Sequence, residues 1–154
     1  MFEKSEGAEV ELLRSSGMAL LAETTREEGP ETAEELLREN VRAFFRFVEE
    51  HPAAWRILFL DPAPDPEIAE AQRLIQEQAT KRLARVIVAR VHGLRVSTRI
   101  RRREADELIA QAGKSALNGL AVWWWERPEL KAEQLSAIAM DLLWTGLGNL
   151  GSEP

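Results

Sequence analysis

Few side chains in this sequence are arranged to do covalent chemistry. Cysteine is absent, which removes thiolate nucleophiles, disulfides, sulfur-ligated metals and cysteine redox chemistry, and makes a cytoplasmic location the default expectation. Of the two histidines, His51 and His92, neither stands in a Glu-x-x-His or His-Glu-x-x-His spacing, the patterns that put metal ligands on one helix face. His51 precedes Pro52 and His92 precedes Gly93, so both are expected at helix ends, where a cationic ring complements the helix dipole. Gly146, Gly148 and Gly151 match G-x-G-x-x-G in form. They close a helical segment, however, without the strand before and helix after that a dinucleotide needs. The carboxylates fall in runs such as Glu27, Glu28, Glu34 and Glu35, the pattern of solvated helix faces. The expectation is a protein that is not an enzyme, with no catalytic residue, no metal and no cofactor.

Charge narrows the partners. Twenty Lys and Arg against 26 Asp and Glu give −6, and residues 1–35 hold ten acids against three bases. An acidic surface repels nucleic-acid phosphates. Only the stretch with Arg95, Arg99, Arg101, Arg102 and Arg103 is strongly basic. No aromatic is interleaved with it, and Glu104, Asp106 and Glu107 follow closely enough to pair locally. The longest unbroken apolar stretch, Leu120 to Trp125, is far short of the roughly 20 residues a bilayer span needs, and Glu3, Lys4 and Glu6 do not read as a secretory leader. No membrane role is expected.

What remains is apolar and aromatic. Phe44, Phe45, Phe47, Trp55 and Phe59 form one cluster. Core packing accounts for most of it, but small-molecule pockets are also walled by such side chains with a few polar groups among them. Gln72, Gln76, Gln78, Gln111, Ser115 and Asn118 are uncharged candidates for those polar contacts. A binding site for a small apolar or aromatic molecule is expected at Phe44, Phe47, Trp55, Phe59, Ile75 and Asn118. The second cluster is Trp123, Trp124 and Trp125, whose directions at about 100° per residue spread over about 200°, so the end of that helix is apolar nearly all round. In the last helix Leu135, Ile138, Ala139, Leu142, Leu143, Gly146 and Leu150 make one face, with Met140 and Trp144 directed elsewhere. Two apolar faces per helix call for two partners, and a second copy of the chain is the expected one. The homodimer interface is then centred on Leu117, Leu120, Trp124, Leu142 and Leu143, with Gly113, Ala116, Gly119 and Gly146 permitting close backbone approach. A monomeric bundle with two central helices is the competing arrangement.

The elements that must position these residues are helices. Apolar residues recur at helical spacing almost throughout, and strand-like alternation is nowhere sustained. The first helix is expected over Ser5–Arg26, burying Val10, Leu13, Gly17, Leu20 and Leu21 and stopped by Gly29 and Pro30. Thr32 and Glu35 stand in the capping-box relation that opens a second helix, running to Glu50 on a stripe of Ala33, Leu36, Leu37, Val41, Phe44 and Val48. A short helix follows over Pro52–Leu60. Asp65 and Pro66 make a cap and first-turn pair for a long helix to His92, with Gly93 as its stop. A buried strand at Val86–Val88 is the alternative there. Helices over Arg102–Arg127, stopped by Pro128, and Lys131–Asn149 complete the chain. The fold class is all-α, an antiparallel bundle of about six helices forming one domain over residues 1–154.

With this layout in hand, the sequence resembles the C-terminal regulatory domain of the TetR family of bacterial transcriptional regulators. The residues that carry the resemblance are Ala116-Leu117-Asn118-Gly119-Leu120-Ala121-Val122-Trp123-Trp124-Trp125-Glu126-Arg127-Pro128-Glu129-Leu130 and Met140-Asp141-Leu142-Leu143-Trp144-Thr145-Gly146-Leu147, similar to that family's paired dimerisation helices. Val41-Arg42-Ala43-Phe44-Phe45-Arg46-Phe47-Val48-Glu49-Glu50-His51-Pro52 is similar to the helix leading into a short helix beside the family's ligand pocket. Phe2 and Glu6 are similar to the ends of the Phe-x-x-Lys-Glu stretch that closes the family's DNA-binding domain, with Lys4 one place early, Ser5 at the Lys position and Ala8 replacing the Leu that follows. The helix-turn-helix preceding that stretch in the family is not among the 154 residues. The resemblance therefore implies a ligand-sensing, homodimeric half of a repressor, reaching DNA only through an N-terminal domain absent from this chain. A stand-alone helical ligand carrier or protein-interaction module that does not act on DNA is the other expectation. A continuous reading frame upstream of Met1 encoding a helix-turn-helix would select the first.

Overall fold

The computed structural model describes residues 2–24, 32–61, 63–90 and 95–151. Six helices follow one another: α1 (Phe2–Thr24), α2 (Ala33–Glu50), α3 (Pro52–Phe59), α4 (Pro66–Arg90), α5 (Arg102–Trp125) and α6 (Ala132–Gly151). There is no strand among the described residues, and Val86 lies inside α4. The all-α bundle is thus what the chain forms. The glycine triplet at 146, 148 and 151 is helical throughout.

Local chemistry sets the ends. Thr32 is the N-cap of α2, its hydroxyl accepting from Glu35 N at 3.2 Å. Asp65 opens α4 by accepting from Glu67 N at 2.8 Å and more weakly from Ile68 N at 3.4 Å. His51 closes α2, its backbone N–H donating to Phe47 O, and also begins α3, which has Pro52 in its first turn. The expected helix ends agree within a few residues; α1 begins at Phe2 instead of Ser5. Gly29, Pro30, His92 and Gly93 lie outside the described residues.

Packing is pairwise. α5 lies along α4, α6 along α2, and α1 against both α2 and α4, whereas α5 and α6 touch each other sparingly. The α4–α5 pair is antiparallel: Gln76 O meets Lys114 Nζ while Thr80, one turn later on α4, meets Gln111, one turn earlier on α5. Two cores result. The larger joins Val41, Phe44, Phe45, Val48 and Trp55 to Ala121, Trp124, Leu135, Ala139 and Met140. The smaller comprises Leu13, Leu58, Ala71 and Ile75. Phe47 and Phe59, both half-buried, pack against each. Where α1 crosses α4, Gly17 is buried so closely that a Cβ there would lie 2.8 Å from Ile75 Cδ1. No helix among the described residues is long and apolar enough to cross a membrane.

Candidate functional site

A cavity of about 50 Å³ sits where α1 to α5 converge. Its wall is mainly apolar: Leu21 from α1, Leu37, Val41 and Phe44 from α2, Phe59 from α3, Ala79 and Leu83 from α4, and Leu117 from α5. Three polar side chains interrupt it, Asn40, Lys114 and Asn118. Phe44 and Phe45 are consecutive on α2 and divide its labour. Phe44 faces the cavity, and Phe45, edge-on to it at 5.2 Å, continues into the larger core to meet Trp124 edge-on at 6.1 Å.

Of the six residues expected at a ligand site, Phe44, Phe59 and Asn118 line the cavity. Trp55 lies behind the wall, fully buried, its indole N–H donating to Asn118 Oδ1 at 3.1 Å. Indole can only donate, so the Asn118 oxygen faces Trp55 and its NH₂ is left as a donor on the other side. Phe47 bridges the two cores, and Ile75 packs on Gly17, so neither reaches the cavity.

The glutamines have structural roles. Gln72 is buried and ties down the end of α3: its amide Nε2 donates to the Ile57 and Asp61 carbonyls, and its Oε1 accepts from Ala63 N. Gln76 Nε2 donates to Leu58 O at 3.3 Å. Both serve helix-end carbonyls that have no partner within α3. Gln111 and Ser115 bond each other on the exposed side of α5, and Gln78 is exposed on α4.

Lys114 is the residue that motif reading missed. It is 9% exposed, and its Nζ donates to Gln76 O at 3.2 Å and to Thr80 Oγ1 at 3.0 Å. The Thr80 hydroxyl in turn lies within reach of Gln76 O and Gln111 Oε1 and donates to one at a time. All of these acceptors are uncharged. Burial holds the Lys114 ammonium below the ordinary lysine value of 10.5. The sequence does carry a signal for it: Ala110, Lys114, Leu117, Ala121 and Trp124 recur at a spacing of three and four, which places the lysine in the inward stripe.

The residues expected at a dimer interface divide. Trp124 belongs to the subunit's own core, 7% exposed, with its indole N–H donating to Leu130 O at 2.8 Å. Leu117 lines the cavity, and Leu120 and Leu143 are half-buried against the larger core. Leu142 alone of the five is exposed, at 66%. The inward arc of α6 runs through Leu135, Ser136, Ala139, Met140 and Leu143, so Met140 faces inward and Ile138 and Leu142 outward. The outer surface of α5 and α6 therefore presents Leu108, Val122, Trp123, Trp125, Ile138 and Leu142. Arg127 covers the Trp123 ring at 4.1 Å and Arg56 the Trp125 ring at 5.0 Å.

Elsewhere, Arg95, Arg99, Arg101, Arg102 and Arg103 are exposed. Arg102 pairs with the buried Asp106 at 3.0 Å, and Arg103 with Glu107 at 3.6 Å, the local pairing expected of that cluster. His51 is exposed, its ring 5.2 Å from that of Phe47.

Comparison with known proteins is empty at each level: no family model matches the chain, and no curated protein or solved structure is significantly similar to it.

Proposed function

We propose that this chain is the ligand-sensing, dimer-forming regulatory domain of a TetR-like transcriptional regulator. The observation that carries the proposal is the cavity at the convergence of five helices, apolar in its walls and supplied with a few convergent polar groups. Leu21 of α1 forms part of that wall, and α1 runs back to Phe2, the position at which the family resemblance places the junction with a DNA-binding domain. A ligand that displaces Leu21 biases the setting of α1, and with it the relative placement of two attached DNA readers in a dimer. Such a shift is limited to the ligand's difference in affinity for the two settings.

A second copy fits the outer faces of α5 and α6. Leu108, Val122, Ile138 and Leu142 are exposed there, and a Cβ at Gly119 or Gly146 meets nothing within 4 Å. Glycine inside an exposed helix costs about 0.5–1 kcal/mol relative to alanine, a cost that close approach of a partner helix offsets.

Titrating the purified protein with a broad panel of small apolar and aromatic compounds, read by Trp55 fluorescence, tests the proposal. Saturable quenching or a blue shift is expected, and Phe59→Trp should report it from the other wall. A panel with no response, together with a light-scattering mass equal to the subunit's 17.4 kDa, overturns it.

A further inference from the structure

We propose that the cavity takes a small monocarboxylic acid, its apolar body held between Phe44, Phe59 and Leu83 and its carboxylate accepting from Lys114 Nζ and the Asn118 amide. The inference rests on the ligand-pocket reading and adds the charge and class of the ligand.

Three observations converge on it. Lys114 is more than nine-tenths buried, yet among the described residues its hydrogen bonds go only to the neutral acceptors Gln76 O and Thr80 Oγ1. Among the described residues, no Asp or Glu lines the cavity. An ammonium has three N–H bonds and two are engaged, so one remains. Asn118 stands one helical turn further along the same face of α5, and Trp55 fixes its amide with the NH₂ turned away from the indole. The cavity thus offers donors from one cation and the Asn118 amide, with Asn40 the one further polar side chain among the described lining residues. Buried charges are ordinarily paired, because desolvation is costly without a counter-ion. A bound carboxylate supplies one, and it favours the charged form of Lys114 against the burial that disfavours it.

The same inventory selects carboxylate over phosphate. A phosphate bears about −1.5 to −2 charge at neutral pH and is ordinarily met by several cations or a bidentate Arg, and among the described residues the cavity has one cation and no arginine. Its size selects a small acid. One water needs roughly 10–15 Å³ of such space, so about 50 Å³ takes a carboxylate and a few carbons before the half-buried Phe59 has to move.

Isothermal calorimetry and Trp55 fluorescence on the full chain test this, with butanoate, hexanoate and benzoate set beside butanol, hexanol and benzyl alcohol. The acids should bind at least about tenfold more tightly than their alcohols. Lys114→Met should abolish that preference. Asn118→Asp is the second variant. It still accepts from Trp55 but places a carboxylate one turn from Lys114, so it should suppress acid binding and raise the melting temperature. Equal affinity for acids and alcohols overturns the inference and leaves the pocket standing, as does an acid preference that survives Lys114→Met in a folded variant. Silence from all six probes overturns the inference, and if the broad panel is silent too, the pocket falls with it.

Discussion

The indole N–H of Trp55 and the side-chain oxygen of Asn118, 63 residues apart, are joined by a 3.1 Å hydrogen bond that ties the short helix α3 to the middle of α5. It lets a fully buried indole satisfy its only polar atom, and it orients the amide presented to the cavity. Trp55→Phe and Asn118→Ala should each destabilise the fold by about 1–3 kcal/mol, the latter by leaving the indole N–H buried and unpaired. A double-mutant cycle by urea denaturation, followed by circular dichroism, should give a coupling of about 0.5–1.5 kcal/mol. Additive effects would show that the bond contributes nothing of its own.

Consecutive phenylalanines should behave differently. Phe45→Ala removes a ring with no exposure from the larger core and should cost about 3–5 kcal/mol. Phe44→Ala removes a ring with empty space on one side, and should cost less while enlarging the cavity and strengthening the binding of bulkier probes. Equal costs in denaturant melts would place Phe44 in packed core.

At the α1–α4 crossing, Gly17→Ala should destabilise by about 1–3 kcal/mol through collision with Ile75. Ile75→Val removes the Cδ1 atom that the new methyl meets and should recover part of that loss in the double variant. A neutral Gly17→Ala in thermal melts would mean that the helices do not approach so closely.

Dimer formation should respond to outward residues and not to inward ones. Leu142→Glu, at an exposed position, should give a folded monomer by light scattering with a helical spectrum unchanged. Leu143→Glu puts a charge against the larger core and should lower the melting temperature instead. A dimer that survives both Leu142→Glu and Ile138→Glu would have to use another face.

Lys114 should make stability rise with pH. Its folded pKa lies below the unfolded value near 10.5, so between the two the unfolded chain binds more protons, and unfolding becomes harder as pH rises through that window. Among the described residues, no ionisable side chain bonds to it. In urea melts, the stability of Lys114→Met relative to the natural protein should be greatest at neutral pH and decline toward pH 10. A pH-independent difference would show that Lys114 titrates normally.

Helix positions were readable from the residues because the signals are local. Thr32 with Glu35, Asp65 with Pro66, and Pro128 satisfy or deny backbone hydrogen bonds within one turn, whatever packs around them. The same is true of the Arg102–Asp106 and Arg103–Glu107 pairs, whose spacing on one helix brings them together. The roles of Trp124, Leu117, Met140 and Lys114 were decided only in three dimensions. A helix that is apolar nearly all round has no hydrophobic phase to say which side faces inward. The inward arcs of α5 and α6 were set by what α2 and α4 present, such as Phe45 against Trp124. A lone lysine between Gly113 and Ser115 reads as solvated until α4 supplies Gln76 O and Thr80 across from it. Neither partner is local in sequence, so the buried cation arises from the packing of α4 on α5, and the cavity that Lys114 lines arises from the convergence of α1 to α5.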